Sequence, residues 1–180
     1  MSNIYPQKKI VLIGYMASGK STISNYIGDK MAFETADTDL LIEKKVGLPI
    51  SEIFENYGEI FFRKLESQIF NELLNQNKTL VIATGGGLPC YFNNHQSLQS
   101  ENVLSIYLKL QPQTLVNRLI ADRINRPIVA QIGEDNLLEF VSKHLFERSF
   151  YYLQAKHIIT CDEKSVEDIV GECIALVLSA

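Results

Sequence analysis

What this chain has little of narrows its class before any motif is read. Its 180 residues hold no apolar run near the roughly 20 needed to span a bilayer. Residues 1–9 offer polar side chains and a proline where a signal peptide would carry its apolar stretch. The cytoplasm is therefore the expected compartment, with no membrane partner. Positive charge is scarce: 17 Lys and Arg stand against 21 Asp and Glu, for a net charge of −4. That excludes a broad nucleic-acid-binding face, which needs excess cations to displace counterions, but leaves room for a local basic pocket. Cysteine is limited to Cys90, Cys161 and Cys173, an odd number with no CxxC spacing, which predicts reduced thiols and no zinc site. Repeats, low-complexity tracts and linkers are also missing. With 46% apolar and 21% charged residues, the chain reads as one globular domain over residues 1–180.

What is present is a rhythm. Short apolar runs at residues 9–13, 79–83, 103–108 and 156–160 alternate with longer stretches of helical character, and a further strand precedes Asp37. The runs are continuous rather than alternating, as expected for strands covered on both faces. Helices are predicted over residues 20–31, 58–74, 112–121 (with Pro112 at the first position) and 165–178, the last opening on a capping box. This pattern predicts an α/β fold with three α/β/α layers around a mainly parallel five-stranded sheet. One stretch breaks the rhythm. Residues 122–136 (DRINRPIVAQIGEDN) form a long polar connection between helices, of the kind that is functional or mobile.

The strongest motif is GYMASGKST at residues 14–22, which fits GxxxxGK followed by Ser or Thr, directly after a strand and before a helix. Such a loop turns backbone N–H groups inward at a helix N-terminus and cradles phosphates. Lys20 can reach the β- and γ-phosphates of a nucleotide, and the Ser21 hydroxyl can ligate Mg²⁺. Ala17, Ser18, Gly19 and Thr22 complete the nucleotide contacts. GTPases, motor ATPases and small kinases all share this loop. The chain has no guanine-reading NKxD, and its run at residues 80–83 ends in Thr84 and three glycines rather than in Asp. Small size and a late arginine-bearing excursion point to the small kinases.

Four further features need a joint explanation. Asp37-Thr38-Asp39 places two carboxylates after the second strand, where each could also serve as a helix cap. Arg63 sits early in a helix, where the dipole does not favour a cation. Gly85, Gly86 and Gly87 leave bare backbone at a strand's C-terminal end, where open α/β sheets bind ligands. Arg148 lies in FERSFYY.

Taken in order, GYMASGKST, ADTDLLIEKKVGLPISEIF, GEIFFRKLE, ATGGG, Arg126-Pro127 and ERSFYYLQA resemble the shikimate kinase family along essentially the whole chain. The resemblance implies a P-loop kinase fold with a lid at about residues 122–136 and a substrate-binding helical region at about 38–77. It also implies transfer of the γ-phosphoryl group of ATP to the 3-hydroxyl of shikimate. The product would be shikimate 3-phosphate, on the route to chorismate and aromatic amino acids. Ser21 would ligate Mg²⁺, with Asp37 holding the metal through water. Asp39 would orient or deprotonate the attacking hydroxyl. Arg63 and Arg148, with the N–H of Gly86 and Gly87, would grip the shikimate carboxylate, and Arg126 would close over the nucleotide. Catalysis would rest on Asp39, Lys20 and Arg126. Two departures stand out: Ala17 where the family often has glycine, and Phe150 where many members have proline. A kinase for another small hydroxy acid and a non-catalytic P-loop binding protein are the alternatives. With no apolar docking surface evident, a monomer is the expectation.

Overall fold

A computed structural model describes residues 8–122 and 131–180. Arg126, on which the resemblance places the lid's catalytic cation, lies outside the described residues. The elements run β1 (Lys9–Ile13), α1 (Lys20–Met31), β2 (Glu34–Asp37), α2 (Thr38–Val46), α3 (Ile50–Leu74) and β3 (Leu80–Ala83). A 3₁₀ turn (Leu88–Cys90) and α4 (Asn94–Ser97) follow, then β4 (Val103–Lys109), α5 (Pro112–Ala121), α6 (Glu134–Tyr152), β5 (His157–Thr160) and α7 (Val166–Ser179). The strands form one five-stranded sheet in the order β2-β3-β1-β4-β5. Every pairing is parallel: Leu12, for example, sits opposite Ala83 on one side and Ile106 on the other.

The three layers follow from the alternation of side chains along central strands that are largely apolar on both faces. Ile10 and Leu12 of β1, Val81 of β3 and Leu104, Ile106 and Leu108 of β4 face α1, α5, α6 and α7. Val11 and Ile13, with Leu80 and Ile82, face α3 through Phe62, Ile69, Phe70 and Leu73. Parallel strands buried on both faces need apolar residues on both, which is why these runs do not alternate.

The caps follow local chemistry. Ser165 accepts from the N–H of Asp168 while the Asp168 carboxylate accepts from Ser165, the reciprocal box expected at the start of α7. Helix structure begins earlier than expected in one place. Residues 50–57 are already helical, and Gly58, at φ 78 and ψ 170, breaks α3 between this segment and the helix that follows. Only a residue without Cβ adopts that conformation without strain, so the break falls on the glycine. The connection expected over residues 122–136 is shorter than the sequence suggested, since α6 starts at Glu134. Acidic Glu134 and Asp135 in its first turn complement the helix dipole there. Among the described residues, no helix is long and apolar enough to cross a membrane.

Candidate active site

Every motif residue that the structure describes sits at the C-terminal edge of the sheet or on the helices that flank it. β1 runs directly into the loop at residues 14–19. The loop closes through the Ser18 N–H, which donates to the Tyr15 carbonyl at 3.2 Å. Gly19, at φ 93, leads into α1 with no side-chain cap, so the first N–H groups of α1 face the loop. Lys20 is buried and its Nζ donates to the carbonyls of Gly14 at 2.9 Å and Tyr15 at 2.8 Å. Arg118 braces the same loop from α5, donating to the carbonyls of Ala17 at 3.3 Å and Ser18 at 3.4 Å. Ala17 lies at φ 63, in the left-handed region. A methyl group there costs about 1–2 kcal/mol relative to a relaxed residue, a physical reason for glycine to be common at this position.

The Asp37-Thr38-Asp39 segment serves structure and site together. One carboxylate oxygen of Asp37 caps α2, accepting from the N–H of Asp39 at 3.0 Å and of Leu40 at 3.4 Å. The other accepts from the Ser21 hydroxyl at 2.6 Å. Thr38 is fully buried, and its hydroxyl accepts from the Gly85 N–H at 2.8 Å, tying α2 to the glycine turn after β3. Asp39 then projects one carboxylate oxygen, Oδ1, that is buried and has no hydrogen-bond partner. Burial, and next the Asp37 carboxylate, push the Asp39 carboxyl above the usual range, while Lys20 and Arg63 pull it back. A buried, unsatisfied acceptor is costly and calls for a function.

Arg63 is held in a fixed pose. Its Nη1 donates to Glu66 at 2.9 Å and its Nε to Glu59 at 3.3 Å. Its guanidinium carbon lies 4.8 Å from the ring centre of Tyr91 and 5.0 Å from that of Phe62. The glycine turn is shaped around these groups. A Cβ on Gly87 would stand 2.5 Å from the Arg63 guanidinium carbon, and one on Gly85 would stand 2.1 Å from Glu66 Oε1 and 2.8 Å from Asp39 Oδ1. Neither position has room for a methyl group, which accounts for the glycines.

Glu66 is wholly buried, and its Oε1 lacks a partner. Burial raises its carboxyl to about 7, with Asp39 adding to the rise and Arg63 and Arg148 opposing it. Because the folded protein holds this proton more tightly than the unfolded chain, Glu66 should make stability fall as pH rises from about 4.5 to about 7. Glu66→Gln should flatten that slope in urea-unfolding free energies measured across the window. A slope equal to that of the unsubstituted protein would show that Glu66 does not titrate there.

The remaining wall comes from α6. Arg148 lies with its guanidinium carbon 5.6 Å from the ring centre of Tyr15. Tyr15 is itself buried and shares a 3.2 Å hydrogen bond with His144 Nδ1. Glu59, Cys90, Tyr91, His144, Glu147 and Arg148 line a cavity of about 350 Å³. Another, of about 420 Å³, lies between α2 and α3 and contains none of the candidate catalytic or binding residues. Phe150 points outward at 67% exposure, so the residue that replaces the family's frequent proline does not enter the site.

The structure thus gathers two groups. Lys20, Ser21 and Asp37 lie around the phosphate loop, while Asp39, Arg63 and residues 85–87 meet beside it. Arg148 stands across the turn. Glu66, Tyr152 and Tyr91 were not singled out from the sequence. Two of them carried a signal, since Glu66 lies three residues after Arg63 and Tyr152 four after Arg148, each one helical turn along.

Comparison with known proteins bears on what this arrangement does. A family model described as shikimate kinase matches residues 16–178. The chain is 45% identical to the shikimate kinase of Flavobacterium johnsoniae over 167 residues, covering 93% of this chain and 97% of that one. A crystal structure of shikimate kinase from Bacteroides thetaiotaomicron superposes with a TM-score of 0.87 at 31% identity, covering 95% of this chain and 98% of that one. Shikimate kinase from Acinetobacter baumannii, solved in complex with shikimate, gives 0.85 at 30% identity, over 98% and 94% of the two chains.

Proposed function

The chain belongs to the shikimate kinase family, and on that premise we propose that it transfers the γ-phosphoryl group of ATP to the 3-hydroxyl of shikimate. The products are shikimate 3-phosphate and ADP. The observation that carries this reading is the unpartnered Asp39 carboxylate oxygen, buried between a phosphate loop and a fixed arginine.

On the donor side, residues 17–22 hold the nucleotide phosphates. The loop's N–H groups and the start of α1 supply partial positive charge, and Lys20 supplies a full one. Lys20 exchanges its bonds to the Gly14 and Tyr15 carbonyls for phosphate oxygens. The pair of hard oxygen donors from Ser21 and Asp37, 2.6 Å apart, fits Mg²⁺, which takes few protein ligands and keeps several waters. Among the described residues no three His, Cys, Asp or Glu side chains gather as a metal cage. On the family's pattern Ser21 would be the direct protein ligand and Asp37 would hold metal-bound water. Mg²⁺, when bound, neutralises charge on the phosphate oxygens.

On the acceptor side, Arg63, Arg148 and the N–H groups of Gly86 and Gly87 take the shikimate carboxylate, a match of guanidinium forks to a planar anion. Asp39 accepts a hydrogen bond from the 3-hydroxyl and takes its proton as the oxygen bonds to the γ-phosphorus. The bond to the β-phosphate oxygen then breaks and ADP leaves. The raised affinity of the Asp39 carboxyl for a proton suits this task. Arg126, on a lid at about residues 122–136, closes over the nucleotide and excludes water, and the helices at about 38–77 carry the acceptor, all within one domain and one monomeric chain.

The test is ADP release from Mg-ATP by purified protein, given shikimate, gluconate, AMP or buffer alone. Release should depend on shikimate and be far slower with the others. Equal release without shikimate would refute the assignment. Tight ATP binding with no turnover on any acceptor would favour a non-catalytic binding protein.

A further inference from the structure

Tyr152 ends α6 with none of its surface exposed, yet it is a tyrosine and not a phenylalanine. Its ring packs on Tyr107 of β4, with centroids 5.0 Å apart. Its hydroxyl donates to the Gly86 carbonyl at 2.6 Å, across 66 residues of chain. Arg148 stands four residues earlier on the same helix, one turn away on the same face.

We propose that Tyr152 is a positioning residue, whose hydroxyl ties the glycine turn to α6 and so sets the turn and Arg148 in the relative geometry that receives an acceptor carboxylate. This rests on the activity proposed above. A peptide unit is planar, so holding the Gly86 carbonyl fixes the plane that carries the Gly87 N–H. Glycine backbone has little of its own to hold that plane, since the turn has no side chains between Thr84 and Leu88. Arg148 itself rests over the Tyr15 ring and lines the cavity beside His144. The hydroxyl therefore couples two grips that come from distant segments.

The experiment compares the unsubstituted protein with Tyr152→Phe and Tyr107→Phe, measuring KM for shikimate, KM for ATP, and kcat. Tyr107→Phe removes a hydroxyl from the adjoining ring and should leave all three unchanged. Tyr152→Phe should raise KM for shikimate about tenfold, the scale of one or two lost hydrogen bonds, with KM for ATP unchanged and kcat within about threefold. In an Arg148→Ala background the same change should have at most a few-fold effect, because the partner it positions is gone. An unchanged shikimate KM would overturn the proposal, as would a parallel worsening of KM for ATP or full additivity with Arg148→Ala.

If the unsubstituted protein shows no shikimate-dependent ADP release, the proposed activity fails and the tether's role falls with it. A shikimate-dependent enzyme whose KM survives Tyr152→Phe counts against the tether alone. Should Tyr152→Phe not fold, the unsubstituted protein still decides. The Tyr152 hydroxyl proton should appear as a slowly exchanging downfield NMR resonance and shift on addition of shikimate. Its failure to shift would equally overturn the proposal.

Discussion

Asp39→Asn should lower kcat with shikimate by about 10²- to 10⁴-fold, the range that a positioned general base supplies, while ATP affinity stays the same. The substitution keeps the shape of the side chain and its place after Asp37. It removes the capacity to take a proton. It also removes a carboxylate that burial and the neighbouring Asp37 make costly to ionise. Thermal unfolding should therefore shift upward or not at all. That opposition is the useful part of the test, because a structural role would lower activity and stability together. Loss of both in parallel would contradict the proposed role, as would turnover within a few-fold of the unsubstituted protein.

Arg63→Ala should raise KM for shikimate about a hundredfold, in line with truncating one partner of a buried, hydrogen-bonded charge pair. It should also destabilise the protein. Arg63 is the charge partner of Glu66, which has no exposed surface, and loss of the guanidinium leaves that carboxylate alone in the interior. Glu66, already raised to about 7, then goes higher and holds a proton at neutral pH, which limits the damage. The two consequences separate in the double variant. Arg63→Ala with Glu66→Gln should recover stability, because no charge is left stranded, but should not recover KM. An unchanged shikimate KM in Arg63→Ala would contradict the assignment of Arg63 to the carboxylate. Recovery of KM in the double variant would mean that Arg63 acts only by neutralising Glu66.

Part of the acceptor side was legible from residue types. The twin carboxylates of residues 37–39, the helix-borne Arg63 and the triple glycine each sat awkwardly under a purely structural explanation. The capping explanation for Asp37 was also correct, because one oxygen caps α2 while the other meets Ser21. A carboxylate has enough lone pairs for both, so the two readings were never exclusive. Thr38 carried no chemical signal at all. Its hydroxyl matters because Gly85 comes to it from 47 residues away. The apolar spacing read as a helix began at residue 58, whereas residues 50–57 are helical too and that segment ends at Gly58.

By itself the sequence determined the layers, the parallel sheet and the phosphate loop. Those depend on local periodicity and on a motif whose residues are consecutive, and both are written along the chain. Only the tertiary structure decided which carboxylate oxygens go unsatisfied, that a Cβ at residue 85 or 87 would displace Glu66, Asp39 or Arg63, and that Glu66 and Tyr152 stand behind the two arginines. Each of these is a distance between segments remote in sequence, set by how α3 and α6 pack against the sheet, and no local pattern encodes such a distance.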